Sequence, residues 1–188
     1  MSNRIGIIAE DKSDIDVLNS ILTKYLDDSS FGIKKFIGKG CGRIRKKCCG
    51  WAKNLRARGC NHLFVVHDLD DNDEEELRTN LQSLVDESEF DDSLVVIPVL
   101  EMEAWLLADP AAIRQTFSLK KTPKTISNTE KVKDPKEYLR DLVWKIGKKR
   151  YLNTVHNVRI AKECRLIFLR QCRSFKPLDR YITEKLKP

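Results

Sequence analysis

The 188-residue chain has no apolar stretch approaching the roughly 20 residues a membrane span requires, and the apolar run within MSNRIGIIAEDKS is too short for a secretory signal. A membrane-embedded or exported protein is therefore not expected, and the cytoplasm is the default location. The six cysteines lack the C-x₂-C pairing of structural zinc sites. Cys41, Cys48, Cys49, Cys60 and His62 come nearest, but the first gap between them is six residues, so buried or surface thiols fit better than zinc ligands. The adjacent Cys48 and Cys49 argue for reduced thiols rather than a disulfide framework. The phosphate-loop pattern G-x-x-x-x-G-K-[ST] is missing, and GKGCG at 38–42 shares only its glycines. Internal repeats and low-complexity tracts are also missing, which leaves one globular domain with room for an appendage.

Acids are absent where bases are dense. From Gly38 to Cys60 there are eight basic residues and no acid, whereas Asp68 to Asp92 holds twelve acids against Arg78 alone. Beyond Ile113, 21 bases stand against 7 acids, so the net charge of +7 conceals an acidic centre between basic flanks. That distribution suits a polyanion held by its backbone while one phosphate is worked on at the centre. Taken singly, each run is equally well a solvated helix face.

Period and punctuation predict strands at Arg4–Ala9, Phe31–Ile37, His62–His67 and Leu94–Leu100, the third buried on both faces. Helices are expected from a Ser13 or Asp14 cap to about Tyr25, over Arg43–Arg58 and over Glu74–Glu87, with another starting in EMEAWLLA at Glu101. Strand–helix alternation through residue 109 argues for a doubly wound, mainly parallel α/β sheet of about four strands. Beyond a Lys- and Thr-rich loop, three helices are predicted at Pro135–Ile146, His156–Gln171 and Ser174–Leu186, the last capped by Ser174. The organisation expected is an α/β domain over 1–113 with a basic helical extension over 114–188. Trp51, Trp105 and Trp144 fall on apolar helix faces and are expected in the core.

Three acidic clusters each follow an apolar run: Glu10 after RIGIIA, Asp68 and Asp70 after HLFVVH, Glu101 and Glu103 after LVVIPVL. In a parallel sheet the carboxyl ends of neighbouring strands share an edge, so these acids can converge there. Gathered carboxylates repel unless a cation binds, and Mg²⁺ takes a few carboxylates while keeping waters. Asp68 and Asp70, two apart on an extended strand, would point to one face and grip one cation. In a helix begun at Glu101, Glu101 and Glu103 would diverge by about 200°, leaving one to reach the metal, with Glu103 slightly favoured. Each acid alone has a plainer reading. Glu10 and Asp11 suit a helix N-terminus, and Asp71 and Asp73 suit a turn and a cap. His67 would face away from the ligands, in the core or behind them.

AEDKSD at Ala9–Asp14 and HDLDD at His67–Asp71 resemble the motifs of the Toprim domain of topoisomerases, primases and overcoming-lysogenization-defect nucleases. With LEMEAWLLAD at Leu100–Asp109, WAKNL and RQCRSFKPL, most of the chain resembles small Toprim-like proteins encoded beside ABC-type ATPases in bacterial abortive-infection and phage-defence operons. The resemblance implies a Mg²⁺- or Mn²⁺-dependent nuclease with Glu10, Asp68, Asp70 and Glu103 in catalysis and Glu10, Asp68, Asp70, Glu101 and Glu103 as metal ligands. Glu10 would hold a second metal or move a proton. Lys39, Arg43, Arg45, Lys46 and Lys47 would hold the nucleic-acid backbone. An ABC-type or SMC-like ATPase partner in antiviral defence is implied as well, and a homo-oligomer is left open. DNA and RNA, tRNA included, both remain as substrates. The rival expectations are a catalytically weak docking subunit and a primase-like nucleotidyl transferase.

Overall fold

Strand β1 (Asn3–Ala9) sets the architecture through strict alternation: Ile5, Ile7 and Ala9 face one layer and Ile8 the other. Gly6 also faces the second layer, where an added Cβ would stand 3.0 Å from Leu55 Cδ1, so only glycine lets the helix behind it lie this close. The computed structural model describes residues 3–90 and 92–187, less the side chain of Cys41.

Helix α1 (Lys12–Leu22) leads to β2 (Phe31–Ile37), and α2 (Cys41–Ala57) returns the chain to β3 (His62–Val66). Helix α3 (Glu74–Asp86) then leads to β4 (Ser93–Val96). The four strands are all parallel in the order β2-β1-β3-β4, with Ile7 beside both Lys35 and Phe64 and Val65 beside Val95. This is the α/β fold expected from the alternating pattern. Because β2 lies to one side of β1 and β3 to the other, the strand order reverses between β1 and β3, which is where open α/β sheets form their ligand crevice.

The two faces are covered differently. Helices α2 and α3 pack Ile44, Leu55, Leu77 and Leu81 against Ile8, Leu63 and Val65. On the other face α1 shares a core with α4 (Glu103–Leu106), α5 (Pro110–Phe117), α6 (Pro135–Gly147), α7 (Asn153–Glu163), α8 (Leu166–Leu169) and α9 (Lys176–Tyr181), which runs on as a π-turn over Ile182–Leu186. β3 is buried at every residue, as its HLFVV run requires. Each fully buried aliphatic side chain of this kind stabilises the fold by roughly 1.5–3 kcal/mol.

Several predicted boundaries are corrected. α1 is capped by Asp11, whose carboxylate accepts from Ser13 N at 2.5 Å and Asp14 N at 3.3 Å, and it ends at Leu22 rather than Tyr25. β4 stops at Val96, because Pro98 has no N–H to pair and Leu100 takes φ +62°. The helix expected at Glu101 begins at Glu103. The long helix predicted over His156–Gln171 is two helices, α7 and α8, parted at Cys164, whose ψ of 134° is extended. Ser174 caps nothing; its hydroxyl accepts from Trp105 Nε1 at 2.7 Å. Trp105 is buried and Trp51 stacks on Phe36, but Trp144 stands 55% exposed on α6, outside the core predicted for it.

Candidate functional site

Glu10 follows β1 and Asp68 follows β3, so the two neighbouring strands at the reversal point deliver one carboxylate each to the same edge. Beyond β2 the chain still pairs with the end of β1: Gly38 N donates to Ala9 O and Lys39 N to Glu10 O, both at 2.8 Å. The Gly38–Gly40 turn is thereby pinned beside Glu10, and Gly40, at φ +121°, joins the rim of the site. Beyond β3 and β4 the two chains run together, Leu69 N donating to Pro98 O and Asp70 N to Leu100 O, each at 3.1 Å. Asp70 and Leu100 both take positive φ, +47° and +62°, and the second of these turns brings the chain to Glu101 and Glu103.

The result is a cavity of about 240 Å³ whose lining includes Glu10, Asp11, Asp14, Asp68, Glu101 and Glu103. Ser13, Gly40, Lys136 and Asn153 complete the wall. Four of the five acids expected at the site thus line one cavity. The fifth, Asp70, is exposed and is not part of the wall. The extended geometry expected for Asp68 and Asp70 is not present, since Asp70 is left-handed and two residues in that conformation do not share a face. The divergence expected of Glu101 and Glu103 is also absent: with the helix starting at Glu103, both reach the cavity.

Burial dominates the electrostatics. It pushes the Glu10 carboxyl up to about 7, with the Asp70 charge adding to the rise and the Asp68 backbone N–H partly offsetting it. Asp14 is pushed up to about 7 by burial first and then by Asp11, Glu103 and Glu10. Asp68 is held well above the usual carboxylate range by burial and by Asp14, Glu103, Glu10 and Asp70. Glu101 is raised by burial, although Lys136 N donates to its Oε2 at 3.0 Å. Buried Glu10 Oε1 and Asp68 Oδ1 accept no hydrogen bond. His67, fully buried, lies 3.2 Å from Glu10 Oε1 through Nδ1, but that nitrogen serves the Asp68 carbonyl at 2.7 Å. Burial lowers the imidazole's pKa, so at neutral pH the His67–Glu10 contact is not an ion pair.

Two acceptor oxygens without donors, amid carboxylates that resist ionisation, form a hard-oxygen set of the kind that suits Mg²⁺ or Mn²⁺. Among the described residues no three His, Cys, Asp or Glu side chains already stand grouped to hold a metal ion. The acids line a cavity rather than surround a point. The donor types are those a hard cation takes, but their arrangement does not enclose one.

Part of this wall was not legible in the sequence. Asp14 pairs with Asp11 in a capping box, its Oδ2 accepting from Asp11 N at 3.1 Å, and its spacing from Glu10 was the available signal. Glu103, 5% exposed, is held by the C-terminal half: Tyr151 Oη lies 2.9 Å from its Oε1 and Asn157 Nδ2 donates to the same oxygen at 3.0 Å. Asn157 also donates to Ser13 Oγ at 3.0 Å, locking α7 to α1 at the site. Nothing in the spacing of Lys136, Tyr151 or Asn157 announces this.

The expected backbone-binding residues Lys39, Arg43, Arg45, Lys46 and Lys47 are all exposed, four of them on α2, which starts at the cavity's Gly40. Arg45 donates to Asn72 Oδ1 at 2.7 Å. The zinc alternative gains nothing. Cys48, Cys49, Cys60, Cys164 and Cys172 are free, burial pushes the Cys48 thiol up to about 12, and the side chain of Cys41 lies outside the described residues. Among the described residues no helix is long and apolar enough to cross a membrane.

Residues 9–181 match the model of a family described as a domain of unknown function, DUF4276. The chain belongs to the DUF4276 family. The matched span opens at Ala9, one residue before the first acid of the cavity, and takes in Lys136, Tyr151 and Asn157, so the family's unit includes the C-terminal helices that complete the site. No curated protein and no solved structure matches the chain.

Proposed function

We propose that this DUF4276 protein is a divalent-metal-dependent nuclease that hydrolyses nucleic-acid phosphodiesters, as its resemblance to the Toprim domain implies. The observation that carries the reading is the pair of donorless buried oxygens, Glu10 Oε1 and Asp68 Oδ1, at the carboxyl ends of the two strands flanking the sheet's reversal point. Glu10, Asp68, Glu101 and Glu103 would hold the ion, with Asp14 as a further acid of the same wall. When bound, Mg²⁺ or Mn²⁺ supplies Lewis-acid polarisation of a phosphoryl oxygen and lowers the pKa of its water. Asp70, exposed beside the cavity, supplies negative charge to the site without lining it. Without a metal, burial and the Asp70 charge push the Glu10 carboxyl up to about 7, and a bound dication would offset that cost of charging it. The exposed bases of α2 hold the substrate backbone beside the site, offsetting the repulsion between phosphate and carboxylates.

The same resemblance supports a cytoplasmic effector of anti-phage defence controlled by an ABC-type or SMC-like ATPase. The free cysteines accord with a reducing compartment. The test is incubation with DNA or total RNA in Mg²⁺ or Mn²⁺, with and without such an ATPase. Wild type is expected to cut and Asp68→Ala to be inactive with an unchanged far-UV spectrum. A wild type that never cuts under any of these conditions, yet binds the ATPase, would make the chain a docking subunit; strand extension from nucleoside triphosphates would make it a primase-like transferase.

A further inference from the structure

A second cavity, of about 450 Å³, opens between the C-terminal half of α6 and the segment that follows it, lined by Arg140, Trp144, Lys149, Arg150, Tyr151 and Leu152, with Asp141 as its acid. Its wall is largely apolar and its rim cationic. Trp144 is 55% and Leu152 42% exposed, side by side in the groove wall. The left-handed C-cap at Lys148, φ +51°, folds the chain back so that Lys148 Nζ stands 5.4 Å from the centroid of the Trp144 ring. Arg140 pairs with Glu137 and Asp141, but among the described residues no ion pair reaches Lys145, Lys148, Lys149 or Arg150.

Two structural links connect this groove with the acidic site. Tyr151 belongs to the groove wall, yet its hydroxyl lies 2.9 Å from Glu103 Oε1 of the acidic cavity. Along α6, Lys136 lines the acidic cavity and Arg140, one turn on, lines the groove; residues so spaced share a face about 6 Å apart. An exposed indole with a cation 5.4 Å from its ring and unpaired basic residues along the rim suits an unstacked base whose phosphates track the positive rim. Within a duplex the bases are stacked and paired, and an internal base cannot offer a ring to Trp144 without melting.

We propose that the Trp144 groove binds single-stranded nucleic acid, stacking one base on Trp144 while the adjoining phosphates lie along Lys149 and Arg150. The proposal rests on the nuclease reading and narrows its substrate to single-stranded or unpaired segments.

The test separates the two claims by working first in EDTA. Fluorescein-labelled twelve-nucleotide oligo(dT) and oligo(rU), and a duplex of equal length, are titrated against the full chain, with indole fluorescence read in parallel. Single strands are expected to bind and quench, Trp144→Ala to weaken that binding about 5- to 150-fold, and Trp144→Phe, which keeps a stacking face, to restore most of it. Duplex binding is expected to be unchanged in both variants. Binding of either oligonucleotide with this pattern supports the groove. Binding of neither, or an equal loss for single strands and duplex, overturns it. Adding Mn²⁺ then tests the other claim: a chain that binds as expected but never cuts retains the groove and loses the nuclease reading. Cleavage of single strands that Trp144→Ala leaves untouched overturns the groove alone.

Discussion

Tyr151 and Glu103 meet inside the protein, the phenol oxygen 2.9 Å from Glu103 Oε1 and 2.6 Å from Asn157 Oδ1. With one proton, the hydroxyl donates to one of these acceptors at a time, and Asn157 Nδ2 supplies Glu103 with a second donor. The C-terminal segment therefore holds the orientation of an acid that the strand-and-helix half delivers.

Replacing Tyr151 by Phe removes that donor while keeping the ring in place. The expected cost is about 1–2 kcal/mol of unfolding free energy, measured by urea titration, because buried acceptors lose their partner. Metal-dependent cleavage should fall further than stability does, since Glu103 is then free to turn. Unchanged cleavage would show that Glu103 needs no such positioning.

Without a divalent cation, stability should fall as pH rises. Glu10 is raised from 4.5 and Asp14 from 3.8 to about 7, so the folded state holds these protons more tightly than the unfolded chain. Their contribution is fully present below the unfolded values and is lost as pH climbs through about 7. Tm measured from pH 4.5 to 8 in EDTA should decline, and Mg²⁺ or Mn²⁺ should reverse the decline chiefly above pH 7, where the carboxylates are free to ligate. A Tm indifferent to both ions across that range would count against the metal site.

Asp68→Asn removes a carboxyl that burial and four neighbouring acids already disfavour as an ion. At pH 8 in EDTA the variant is expected to be more stable than wild type by on the order of 1 kcal/mol, or about 2–4 °C for a chain of this size. It should also lose the Mg²⁺-induced rise in Tm. Stabilisation together with loss of the metal response distinguishes a functional acid from a structural one, whose removal would destabilise.

Ser174 accepts from the buried indole of Trp105 at 2.7 Å and donates to Glu130 Oε1 at 2.6 Å. Ser174→Ala leaves the Trp105 N–H without an acceptor, at an expected cost of about 1–3 kcal/mol in thermal or urea unfolding. Ser174 lines neither the Trp144 groove nor the acidic cavity, so oligonucleotide binding in EDTA should be unaffected.

Strand placement was legible because β1 and β3 carry their own pattern: alternation in RIGIIA and an all-apolar HLFVV leave little choice of face. Helix ends were less so. Asp11 outcompeted Ser13 and Asp14 as a cap through hydrogen bonds that no propensity reveals, and Leu100 at φ +62° displaced the start of α4. Trp144 shows the limit of periodicity. Its position on α6 matched an apolar stripe, but whether anything packs over a stripe depends on which elements arrive there, and among the described residues the ring stays 55% exposed, with Lys148 Nζ over it.

By itself, the sequence determined the parallel α/β sheet and the gathering of acids after β1, β3 and β4 at one edge, because strand direction and chain order oblige neighbouring carboxyl ends to meet. Tertiary structure alone decided that Glu101 and Glu103 both line the cavity, that Asp14 joins them, that Asp70 stands outside, and that Tyr151 and Asn157 hold Glu103. Those outcomes depend on backbone turns and on contacts between residues far apart in the chain, such as the 144 positions separating Ser13 from Asn157, which no local period encodes.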